Sequence, residues 1–178
     1  GPPGDGKTRP VGSFMTRIEK EWKSKRQGLL LQLFATNDVQ TANEHKEELG
    51  VEGLHVQMKT LPKLRAELEH ALKVRKVITH QMIRKILYGK KVNEATNEIE
   101  EFAYLKQFLR ELPPKTTVVV YHDEAHAFCG TGLYRSGPWK EIRKAVDIAS
   151  NPPHSIEIRF HGLTGTPGNS AAERFGRL

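Results

Sequence analysis

The sequence predicts an α/β fold, a mostly parallel sheet flanked by helices, and three observations carry that prediction. Helical and extended signals alternate along the chain. The β-branched run Val118 to Tyr121 reads as a strand buried on both faces, and the octapeptide GPPGDGKT, Gly1 to Thr8, is a glycine-rich loop leading into a helix. With 178 residues and 37% hydrophobic content the chain can bury one sizeable core. No stretch is long and apolar enough to span a membrane.

The elements follow in order. Phe14, Ile18 and Trp22 share a helical stripe that Gly28 can terminate, although Pro10, inside the first turns, is expected to distort that helix. Leu29 to Ala35 is a strand, and Asp38 to Leu49 a polar helix ending at Gly50. Leu61, Leu64, Leu68 and Leu72 mark another helix, and Val77 to Thr79 a short strand. Ala95, Ile99, Phe102, Leu109 and Leu112 predict a longer helix stopped by Pro113-Pro114. Val118 to Tyr121, a helix around Trp139 to Ile148, Pro152-Pro153 and a strand from Ile156 to Phe160 complete the series. Gly130 to Pro138, GTGLYRSGP, reads as a mobile loop, and there is no internal repeat or domain linker.

Chemistry concentrates at two places. Gly1, Gly6, Lys7 and Thr8 fit the phosphate-loop pattern, in which glycines let the backbone approach phosphates and aim N–H groups at them. The Gly4, Asp5 and Gly6 backbone would bind phosphates, Lys7 would reach the β- and γ-phosphates, and the Thr8 hydroxyl would hold Mg²⁺. The plain alternative is a helix-capping loop. At the second place, VVVYHDEAHAF, a strand ends in adjacent carboxylates, where open α/β sheets place ligands. Asp123 would hold Mg²⁺ through water and Glu124 would act as general base, against the alternative of a solvated acidic turn. The two motifs together are far more specific than either alone.

A third segment, SIEIRFHGLTGTPG from Ser155 to Gly168, ends a strand in a Thr-Gly-Thr-Pro turn. With it the chain resembles the first RecA-like domain of superfamily 2 helicases and translocases: GPPGDGKT is similar to motif I, DEAH at Asp123 to His126 to motif II, and LTGTP at Leu163 to Pro167 to motif III. Leu29 to His45 resembles motif Ia, with Ala35 where that motif usually has proline, and Lys76 to Leu87 resembles a later strand with a terminal Thr turn. The resemblance implies a RecA-like P-loop NTPase domain over residues 1–178 that couples hydrolysis of ATP with Mg²⁺ to movement on nucleic acid, DNA or RNA. It implies that His126, Thr164 and Thr166 relay nucleotide state, and that Thr36 and Thr79 contact the nucleic-acid backbone, with helix capping as their other role. In the family a buried strand precedes the phosphate loop and a second RecA-like domain supplies arginines. The chain is therefore expected to be one part of a larger assembly, with the second domain in the same or another chain, and weakly active alone.

The phosphate loop is also close to that of AAA+ ATPases, but the long interval from Lys7 to Asp123 and the LTGTP turn favour the helicases. A structural or interaction module retaining the ATPase fold without turnover is the reading from another class; intact Lys7, Asp123 and Glu124 argue against it. The charge balance, 28 Lys and Arg against 21 Asp and Glu, gives +7 and favours a polyanionic partner. The single Cys129 excludes an internal disulfide, and with His122 and His126 it leaves a structural metal short of ligands. An intracellular location is expected from that and from the absence of a secretory signal.

Overall fold

The computed structural model describes residues 5–25, 28–51, 56–123 and 137–162. Helix α1, Asp5–Lys25, precedes strand β1, Leu30–Thr36, and helix α2, Val39–His45. A 3₁₀ turn, Met58–Thr60, leads into α3, Leu61–Leu68, followed by β2, Lys73–Thr79, and α4, His80–Tyr88. A small hairpin, β3 Lys91–Val92 and β4 Ile99–Glu100, precedes α5, Ala103–Arg110. Strand β5, Thr117–His122, helix α6, Gly137–Ser150, and strand β6, Glu157–Gly162, complete the chain order. The main sheet has the order β2-β1-β5-β6 and every pairing in it is parallel.

Successive strand residues point to opposite faces, and the two faces are covered differently. Leu31, Leu33, Ala35, Val118, Val120, Ile158 and Phe160 join a large core under α3, α4, α5 and α6. Leu30, Phe34, Val77, Val119 and Tyr121 face the other way, against Val11, Met15, Ile18 and Trp22 of α1. Both central strands are buried along their whole length, which is why they read as continuous apolar runs. Edge strand β6 alternates instead: Ile158 and Phe160 are buried, while Glu157 is exposed and Arg159 and His161 are half-buried.

Asp38, expected inside the helix, instead caps α2 by accepting from the Thr41 N–H at 2.8 Å. Gly28 ends the connection from α1 at φ +122°, where an added Cβ would stand 2.6 Å from the Lys115 carbonyl oxygen, so only glycine fits.

Three expectations are corrected. The polar helix expected from Asp38 to Leu49 is the shorter α2, which stops at His45, while α1 continues through Pro10. The single helix expected from Ala95 to Leu112 is a hairpin followed by the shorter α5. Asn93 Oδ1 accepts from the N–H groups of Ala95 and Thr96 at 2.9 and 3.3 Å, and Asn97 and Phe102 both sit at φ +58°, so turn chemistry displaces the helix. Ile99, counted in the apolar stripe, is 61% exposed and has no core to bury into. Helix α3 stops at Leu68, leaving Leu72 at 75% exposure. Helix α4 was not foreseen as an element, and β2 is longer than the segment expected. Of the loop expected from Gly130 to Pro138, residues 130–136 lie outside the described residues, and Gly137 and Pro138 open α6. Among the described residues no helix is long and apolar enough to cross a membrane.

Candidate functional site at the carboxyl edge of the sheet

The carboxyl ends of three adjacent strands form one row. Thr36 ends β1 opposite Thr79, the end of β2. The pairing of β1 with β5 registers Ala35 against His122, and one residue further Asp123 N–H donates to the Ala35 carbonyl at 2.9 Å, which brings Asp123 beside Thr36. By strand alternation Thr36 belongs with Phe34 to the face that α1 covers, while the Thr79 hydroxyl turns to cap α4.

Helix α1 runs antiparallel to β1 over that face. Trp22 Nε1 donates to the Gly28 carbonyl at 2.6 Å near the start of β1, while the Gln32 amide donates to the Met15 carbonyl at 3.1 Å two residues into the strand. From Gln32 to Thr36 the strand advances about 13 Å. The same length of helix is about nine residues, so the level of Thr36 is reached in the first turns of α1. There Asp5, Gly6, Lys7 and Thr8 belong to the helix, whose positive dipole end thus lies toward the carboxyl edge of the sheet.

Of the residues singled out by sequence, Asp123, Thr36 and Thr79 therefore share one edge with the start of α1. Gly1, Gly4, Glu124, His126, Thr164 and Thr166 lie outside the described residues. Thr79 caps α4, its hydroxyl accepting from the Met82 N–H at 3.2 Å. Thr36 is fully buried, and its Oγ1 has no hydrogen-bond partner among the described residues. A buried hydroxyl without a partner, one register step from the backbone of Asp123, is an oxygen donor available to a ligand. Among the described residues no three His, Cys, Asp or Glu side chains converge. With one carboxylate residue and one buried hydroxyl at this edge, a hard cation placed there would have to complete its shell with water and a ligand's own oxygens.

Behind the row, on the opposite face, lies a pair of imidazoles. His80 and His122 stack with centroids 4.1 Å apart and planes at 10°, and His80 Nε2 donates to the Ala35 carbonyl at 3.1 Å. Burial, then the charge of Arg84, holds His80 below the ordinary histidine range; burial, His80 and Arg84 push His122 down to about 2. His161, stacked on Tyr121, is also lowered, by burial and then by Arg159. Each binds its proton more readily unfolded than folded, so the stabilisation from the neutral form is complete above the unfolded value of 6.5 and falls as the pH drops below it. Each such group steepens the loss by up to about 1.4 kcal/mol per pH unit. Urea midpoints are accordingly expected to fall between pH 7.5 and pH 5.5; equal midpoints would refute the neutral imidazoles.

Sequence reading missed a polar network beneath α1. Tyr121 Oη donates to Gln32 Oε1, which turns the Gln32 amide nitrogen toward α1, where it meets the Met15 carbonyl and, at 3.3 Å, Glu19 Oε2. Arg75 grips Glu19 with Nε at 2.8 Å and a terminal nitrogen at 2.6 Å, and reaches the Leu49 carbonyl at 2.8 Å and Thr16 Oγ1 at 3.0 Å. Burial alone would raise the Glu19 pKa; the Arg75 hydrogen bonds and charge, with Lys73 at 3.8 Å, outweigh it and hold the carboxyl below its usual range. Burial also pushes the Tyr121 phenol upward. The one signal in the sequence was Gln32, a polar residue inside the run LLLQLF.

No protein-family model matches this chain, and no curated protein matches it.

Proposed function

We propose that this chain is a RecA-like P-loop NTPase domain, the ATPase core of a helicase or translocase acting on nucleic acid. What supports the reading is that the path of α1 over β1 carries its start, with Asp5 to Thr8, toward the carboxyl edge of the sheet, where Asp123 follows β5. The two motifs are separated by most of the chain in sequence and come toward the same edge of the sheet, the edge where parallel α/β sheets place ligands. In this reading the loop backbone and Lys7 bind the phosphates, Thr8 and Asp123 hold Mg²⁺, and Glu124 takes the proton of the attacking water. The metal supplies charge neutralisation at the phosphates. Thr36, buried beside Asp123, is better suited to the metal and carboxylate than to a polymer backbone.

A labelled Mg²⁺-ATP analogue is expected to bind the chain, and Lys7→Ala to weaken it by about ten- to a hundredfold, the worth of one hydrogen bond to a charged group. Equal affinity of the two proteins removes the nucleotide site. Nucleic acid is the proposed polymer on the strength of the +7 charge and the resemblance. Its binding, read by fluorescence anisotropy, should show little sequence preference and fall linearly with log salt; a salt-independent or absent signal sinks that half of the reading.

A further inference from the structure

A helix held only by apolar contacts can slide or roll over a sheet at small cost, because such contacts have no direction. The network under α1 has direction at every step. Tyr121 can donate to only one end of the Gln32 amide, the other end must then face α1, and the Arg75 fork fits the Glu19 carboxylate in one orientation. Four elements are joined by it: α1, β1, β2 and β5. Tyr121 is two residues before Asp123 on the same strand face, and Glu19 is about four turns from the start of α1, so the network spans the two halves of the candidate site. A buried ion pair is a poor source of stability, since well-packed apolar side chains often do as well. Its presence on an otherwise apolar stripe calls for another role.

We propose that Glu19, Gln32, Arg75 and Tyr121 are positioning residues that fix the register and rotation of α1 over the sheet, and thereby the placement of the phosphate-binding turn against Asp123. The proposal rests on the nucleotide-site reading for its functional consequence, though not for its structural one. A displacement of about 1 Å at a phosphate or metal site is enough to lower function up to a hundredfold.

The decisive variant replaces the ion pair by apolar groups of similar length, Glu19→Met with Arg75→Met, and Tyr121→Phe serves as a milder variant that removes only the first donor. Urea unfolding establishes that the variants are folded. Affinity for a labelled Mg²⁺-ATP analogue is then measured, together with the distance between spin labels at Lys20→Cys on α1 and Lys144→Cys on α6, in a Cys129→Ser background. The Met pair is expected to keep a cooperative transition, bind the nucleotide about ten- to a hundredfold more weakly, and broaden the label distance distribution; Tyr121→Phe is expected to shift both readouts in the same direction by less. A folded Met pair with wild-type affinity and an unchanged distance distribution overturns the proposal. If the Met pair does not fold, an unchanged result for Tyr121→Phe overturns it and a broadened distribution supports it. A wild-type chain that binds no nucleotide refutes the functional reading instead, and the label distances alone then decide whether the network sets the register.

Discussion

Arg75→Ala is expected to destabilise the chain by about 3–5 kcal/mol, the range found when one member of a buried ion pair is removed and the other is left without its partner. Glu19 is 8% exposed and its carboxylate leans on Arg75 through two short contacts, so the variant leaves a charge largely cut off from water. The Leu49 carbonyl and Thr16 hydroxyl lose a donor at the same time. Adding Glu19→Gln should restore part of the loss by removing the charge while keeping the side chain's shape. Urea denaturation at neutral pH measures both. A loss below about 1 kcal/mol, the worth of an exposed pair, would mean that water screens the contact.

The other large effect concerns turnover. Glu124→Gln preserves the shape of the side chain and removes its capacity to take a proton, so Mg²⁺-ATP affinity is expected to stay near wild type while hydrolysis falls by about 10²–10⁴-fold, the usual worth of a general base. Undiminished hydrolysis would assign the base elsewhere. A parallel loss of binding would mean that Glu124 holds the nucleotide or its metal.

The sheet was legible in the sequence because its strands are buried. LLLQLFAT and TVVVYH are continuous apolar runs for the physical reason that helices cover both faces, and the alternation in EIRFHG reports a strand covered mainly on one. Gly28 was legible because positive φ restricts residue type locally. The interval from Ala95 to Leu112 misled because apolar residues at helical spacing do not form a helix when a local Asn turn competes and half the stripe has nothing to pack against. At the candidate site, the types of residue were legible but not their arrangement. Asp123 announces itself at the end of a strand, whereas its neighbour Thr36 is set by strand order, which periodicity does not encode. Glu19 and Arg75 look like ordinary surface charges, and only the path of α1 across β1 and β2 brings them together.

The parallel pairing has a consequence for how the chain reaches this structure. Leu30 lies opposite both Lys73 and Thr117, and Thr117 opposite Glu157, so each pairing of the sheet joins segments separated by dozens of residues. Long loops must close before any rung of the ladder stabilises them, a high contact order that places folding toward the slow end for a chain of this size. Helix α1 forms from local contacts, but the groups that tether it come from β1, β2 and β5, and Gln32 and Arg75 have no fixed partners until those strands are side by side. Docking of α1 thus belongs to the late part of the reaction. Until then its apolar stripe, Val11, Met15, Ile18 and Trp22, is open to other chains, and the yield of refolded protein should fall as its concentration rises.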